Sequence, residues 1–152
     1  MPPVVGQQAP DFSLPSTAGP LVSLSGFRGA SNVLIAFFPA AFTRTCTAEL
    51  CSFSENLDQF SGAGTQVLPI SGDHLASLKQ FKDKEKMKVN PLSDIKRDVA
   101  RAYGVLDEVK FTPRRSYFLV DKQGVLRWSH VEAELGDRRE NAELLRQLAA
   151  VT

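Results

Sequence analysis

The feature that most constrains this chain is a junction. A continuous apolar run from Asn32 to Phe38 stops at Pro39, and from Thr45 onward the apolar residues recur at a different spacing. A run apolar on both faces fits a strand in the middle of a partly parallel sheet, because a half-exposed strand would alternate. Cys46, Leu50, Phe53, Leu57 and Phe60 then follow at intervals of four, three, four and three. That spacing is one face of a helix. Gly62 and Gly64 end it. A buried strand feeding a helix points to an α/β chain.

The same alternation repeats downstream. Gln66 to Ser71 reads as a strand, and His74 to Lys84 as a helix with Leu75, Leu78 and Phe81 on one side. Asn90-Pro91 breaks the chain, and Lys96 to Tyr103 is a short helix stopped by Gly104. Ser116 to Val120, a turn through Gly124, and Val125 to Val131 form a hairpin. Asn141 to Ala150 closes as a helix with Leu144, Leu145 and Leu148 inward. The Pro- and Gly-rich opening, through Pro20, is loop or edge structure, and Leu21 to Leu24 is a short strand. The order β-α-β-α-β-β-α predicts a thioredoxin-like fold, a central mixed β-sheet flanked by helices.

At 152 residues the chain suits one domain, 1–152, with one core. Its 18 basic and 17 acidic residues leave a net charge of +1 with no dense basic block, so it lacks the electrostatic footprint of a nucleic-acid binder. A small molecule or a protein partner remains. The longest apolar run is too short for a membrane span. The opening Met1 to Phe12 has neither a basic nor an apolar leader region, and a cytoplasmic enzyme is the expectation.

Cys46 and Cys51 read three ways: a structural disulfide, metal ligands, or redox chemistry. A metal site needs two further ligands, and His74 and His130 sit in unrelated segments. Position favours the third reading for Cys46. At the start of a helix, unpaired N–H groups and the helix dipole favour the thiolate, which is the nucleophile. Thr43, three residues earlier, turns its hydroxyl toward the same pocket or else caps the helix. Pro39 has no donor and gives a rigid apolar wall. Plainer readings stand beside these. Cys46 is a small core residue, Cys51 an incidental free thiol, Arg115 a surface ion-pair partner, and Glu49, close to the site, only a favourable charge at a helix start.

Pro39-Ala-Ala-Phe-Thr43-Arg-Thr-Cys46 matches the Pro-x-x-x-Thr-x-x-Cys signature of peroxiredoxins, and the chain resembles that family over nearly its whole length. Gly6 to Phe12, Val67 to Asp73, Pro91 to Asp94, Ala102 to Val105 and Arg115 to Asp121 are similar to further family segments. Cys46-x-x-x-x-Cys51 resembles the bacterioferritin comigratory, or peroxiredoxin Q, group. The stretch from Phe37 to Thr43 leans toward the one-cysteine alkyl hydroperoxide reductase E type.

The resemblance implies a cycle. Cys46 attacks hydrogen peroxide or an organic hydroperoxide and becomes a sulfenic acid. Thr43 hydrogen-bonds the peroxide and Arg115 is the essential arginine, with Arg114 directed to the opposite face. Cys51 closes a disulfide, and thioredoxin or a similar dithiol protein reduces it. No metal or organic cofactor is implied. A monomer is expected, with a homodimer across the Arg44-side loops as the alternative. Two other readings stay open: a one-cysteine peroxidase served by another thiol system, and a thiol–disulfide oxidoreductase acting on proteins. The latter normally carries Cys-x-x-Cys.

Helix geometry adds a constraint. Five residues along a regular helix separate Cys46 and Cys51 by about 140° and place their Cα atoms about 8.6 Å apart. A disulfide needs Cα atoms within about 7 Å and Cβ atoms directed toward each other. Closing that bond therefore requires the helix to unwind between them.

Overall fold

The computed structural model describes residues 2–134 and 136–151. Strands β1 (Ser13–Pro15) and β2 (Leu21–Ser23) form a small antiparallel pair at the start of the chain. The apolar run is β3 (Asn32–Phe37), every residue of it buried. Then come α1 (Arg44–Glu55), α2 (Leu57–Gly62), β4 (Thr65–Ser71), α3 (Leu75–Glu85), β5 (Leu92–Ser93) and α4 (Asp98–Ala102). A second small pair, β6 (Leu106–Asp107) and β7 (Thr112–Pro113), precedes β8 (Ser116–Val120), β9 (Leu126–Val131) and α5 (Asn141–Val151).

The central sheet has the order β5-β4-β3-β8-β9. β3, β4 and β5 run parallel, whereas β8 is antiparallel to both β3 and β9. This is the mixed sheet with flanking helices that the alternation predicts. β3 sits at its centre, which is why it is apolar on both faces. Val33, Ile35 and Phe37 join one core with Phe118, Val120 and Tyr103. Leu34, Ala36 and Phe38 join the other with Cys46, Leu50, Phe53, Phe60, Leu144 and Leu148. The alternation of strand side chains thus places α1 and α5 on the second face.

Two element boundaries depart from expectation for identifiable reasons. The single helix expected from Thr45 to Phe60 is two, divided at Asn56 (φ −107°, ψ 17°). Asn141, at the start of α5, donates from Nδ2 to the Ser52 carbonyl at 3.0 Å, to Ser52 Oγ at 2.9 Å and to Asn56 Oδ1 at 3.1 Å. The break coincides with this side-chain tether, and asparagine has a weak helix preference of its own. The helix expected from Lys96 begins only at Asp98. Arg97 is left-handed (φ 62°), and the Asp94 carboxylate accepts from the Val99 and Ala100 amides at 3.3 and 2.9 Å. That carboxylate fixes where the helix starts. The pairs β1–β2 and β6–β7 and the two-residue β5 are too short to carry a period, and only β2 was expected as a strand. Among the described residues no helix is long and apolar enough to cross a membrane.

Candidate active site

The site lies where β3 hands over to α1. The Pro39–Thr43 loop turns sharply, with Phe42 at φ 66°. Asp73, just beyond β4, braces it: Oδ2 accepts from the Ala41 amide at 2.8 Å and from Ser71 Oγ at 2.7 Å. Thr43 is the backbone N-cap of α1, but its hydroxyl makes no capping bond. It donates instead to the Ala40 carbonyl at 2.9 Å, which keeps it on the loop side. Side-chain capping by Thr43 is therefore excluded.

Cys46 follows in the first turn of α1 and is 1% exposed. Glu49, one turn on and on the same side of the helix, is equally buried. Arg115 immediately precedes β8 and lies under α1, 2% exposed, while its neighbour Arg114 is exposed. Arg115 Nη2 donates to Cys46 Sγ at 3.0 Å, and Nη1 donates to Glu49 Oε1 at 2.6 Å. The plain surface role for Arg115 is ruled out by that burial. Glu49 likewise does more than favour a helix dipole, since its second oxygen accepts from the Tyr117 hydroxyl.

Electrostatics follows from the burial. Burial opposes the Arg115 charge, yet Glu49 and then Cys46 outweigh it and hold the guanidinium above its ordinary value. Burial pushes the Glu49 carboxyl above the usual carboxylate range, against the pull of Arg115 and Tyr117. Of the two charges the arginine's is the firmer, because a guanidinium stays protonated at any physiological pH. Cys51, half-buried on the far side of α1, is raised by burial, then by Glu85 and Glu55. Both cysteines are free thiols on a regular helix.

Pro39, Thr43, Arg44, Thr45, Cys46, Arg115 and Gly136 line a cavity of about 270 Å³ over the thiol. The structure thus brings Pro39, Thr43, Cys46 and Arg115 to one cavity and puts Glu49 behind Arg115, but leaves Cys51 apart. A larger cavity of about 450 Å³, between Phe12 and Val99, holds no thiol, and its Asp94 carboxylate is occupied by backbone amides. Among the described residues no group of three or more His, Cys, Asp or Glu side chains could hold a metal ion. Sequence reasoning missed Tyr117 and Asp73. Tyr117 looks like ordinary strand core, and nothing local marks Asp73 as a brace.

The model for the AhpC/TSA family matches residues 5–129. The chain is 40% identical over 124 residues to a putative chloroplastic peroxiredoxin Q of Oryza sativa subsp. indica, covering 81% of this chain but only 57% of that protein. It is 35% identical over 150 residues to the alkyl hydroperoxide reductase E of Mycobacterium tuberculosis, covering 97% of both. The fold superposes with a TM-score of 0.91 and 28% identity on the reduced 2-Cys peroxiredoxin of Plasmodium vivax, over 99% of this chain and 82% of that one. Matched over most of its length in sequence and nearly all of it in fold, the chain belongs to the AhpC/TSA family, with the peroxiredoxins.

Proposed function

We propose that this protein is a thiol-dependent peroxidase with Cys46 as the nucleophile. One observation carries the reading: a buried thiol, held 3.0 Å from a buried guanidinium, opens onto a cavity lined by Thr43 and Pro39. The thiolate attacks one peroxide oxygen, the O–O bond breaks, and the leaving oxygen takes a proton. The products are a sulfenic acid and water or an alcohol. Arg115 stabilises charge on both sulfur and oxygen as it shifts. Its Nε is a further buried donor with no partner among the described residues. Thr43 orients the substrate, and Pro39 keeps the loop rigid and the approach apolar.

In the second half of the cycle Cys51 condenses with the sulfenic acid, releasing water and forming a disulfide. A dithiol protein of the thioredoxin kind then reduces it by exchange. Such reductants belong to a reducing compartment, the cytoplasm first. We read the protein as a monomer, with a homodimer as the alternative. A one-cysteine cycle is the second reading, favoured by the intact α1 that keeps the two thiols apart.

The test divides the labour. Cys46→Ser abolishes peroxide consumption. Cys51→Ser still forms the sulfenic acid, detected by mass spectrometry, but loses most thioredoxin-linked turnover and accumulates sulfinic acid at Cys46. Normal turnover of Cys51→Ser with thioredoxin selects the one-cysteine cycle.

A further inference from the structure

We propose that Tyr117 is a positioning residue for the peroxidase reaction, fixing the Glu49 carboxylate and through it the guanidinium of Arg115 on the Cys46 sulfur. The inference rests on the peroxidase reading above. Tyr117, in β8, stands two residues after Arg115, and both side chains reach Glu49 in the layer under α1. Its ring is fully buried. A phenylalanine would fill that space as well; only the hydroxyl reaches Glu49.

The bonds at that hydroxyl run in one direction. The Arg139 amide, which can only donate, gives its hydrogen to the Tyr117 oxygen at 3.0 Å. The phenolic proton goes to Glu49 Oε2. Burial, then Glu49, push the Tyr117 pKa far up, so the hydroxyl keeps that proton. Glu49 thus has one donor on each oxygen, Tyr117 on Oε2 and Arg115 Nη1 on Oε1. A carboxylate held at both oxygens cannot rotate, and the guanidinium it grips presents Nη2 to the sulfur. The network closes on itself: Arg139 Nε donates to Glu132 Oε2 at 2.8 Å, and the Glu132 amide donates to the Arg115 carbonyl at 2.9 Å. The charged or titratable groups acting on Glu49 are Arg115, Tyr117 and, at longer range, Arg138, with Cys46 across the shared guanidinium.

The experiment measures loss of the Cys46 thiol to hydrogen peroxide by rapid quench and mass spectrometry across pH, in the wild type, Tyr117→Phe, Glu49→Gln and the double variant. Tyr117→Phe is expected to slow oxidation about tenfold, the scale of losing one bond to a charged group. Without the phenolic donor Glu49 keeps a proton to higher pH, so the acid limb of the rate profile moves to higher pH. The double variant is expected to be no slower than Glu49→Gln alone, because Tyr117 acts through Glu49. If Tyr117→Phe does not fold, 3-fluorotyrosine placed at position 117 keeps ring and hydroxyl, strengthens the donor and moves the acid limb to lower pH. An oxidation rate unchanged in Tyr117→Phe, a loss uniform across pH, additive losses in the double variant, or a profile unmoved by 3-fluorotyrosine overturns the assignment. A wild-type thiol that does not react with peroxide overturns the peroxidase reading itself.

Discussion

Two acidic groups share one cation. Cys46 and Glu49 both lean on the Arg115 guanidinium, and all three side chains are buried. A charge removed from water is tolerated only when paired, so Arg115 has a structural role beside the chemical one proposed for it. Arg115→Ala is expected to slow sulfenic acid formation by about 10²-fold or more, the scale of losing a donor to developing charge. It also leaves Glu49 buried without its cation, at about 3–5 kcal/mol of stability. Arg114→Ala is expected to do much less of either, since Arg114 is exposed and its amide bond to the Val105 carbonyl survives the change. Stopped-flow oxidation and urea unfolding read the two effects separately. Equal defects in the two variants contradict the arrangement.

Among the elements, α1 carries the tension in the proposed cycle. It is regular from Arg44 to Glu55, and both its cysteines are free. Along such a helix the two Cα atoms stand about 8.6 Å apart, beyond disulfide reach. Disulfide formation therefore has to unwind the segment between them, against the burial of Leu50 and Phe53 in the second core. The tether from Asn141 to Ser52 and Asn56 marks where the unwinding meets resistance on the C-terminal side. Hydrogen exchange over residues 46–53 is expected to rise in the disulfide form relative to the reduced form. A helix equally protected in both forms removes the unwinding step.

For the molecule as a whole, pH resistance depends on which carboxylates folding favours. Burial works against the charge of Asp121, but the Val125 amide, then Arg127 and the Gln123 amide, outweigh it and hold the carboxyl below its ordinary value. Asp11 is lowered too, by Ser25 and Phe12 against its own burial. A lowered native pKa gives stability that is present above the unfolded value of 3.8 and is lost as pH falls through the native one. Glu49 and Asp94, raised chiefly by burial, act in the opposite sense: their ionisation costs stability as pH rises through 4.5 and 3.8 toward their native values. The urea midpoint is expected to fall from about pH 5 to about pH 3, and Asp121→Asn to flatten that fall. Asparagine keeps an oxygen for the turn amides but has no proton to gain. An equally steep fall in the variant removes Asp121 from the account.

The sequence by itself determined the parts governed by local period and motif. The apolar run from Val33 fits a strand buried on both faces, which is β3 as far as Phe37, and the spacing from Cys46 to Phe53 fits a helix packed on one face. Their junction located the thiol; Arg114 and Arg115, expected to alternate along a strand, both lie between β7 and β8, and burial separates them. What only the tertiary structure decided are contacts between residues far apart in the chain. Glu49 meets Arg115 across 66 positions and Tyr117 across 68, and no pattern within either segment encodes that meeting. Asn141 meets Asn56 across 85 positions where the expected single helix divides. Such contacts depend on sheet order and on how helices lie across it, and a one-dimensional period carries neither.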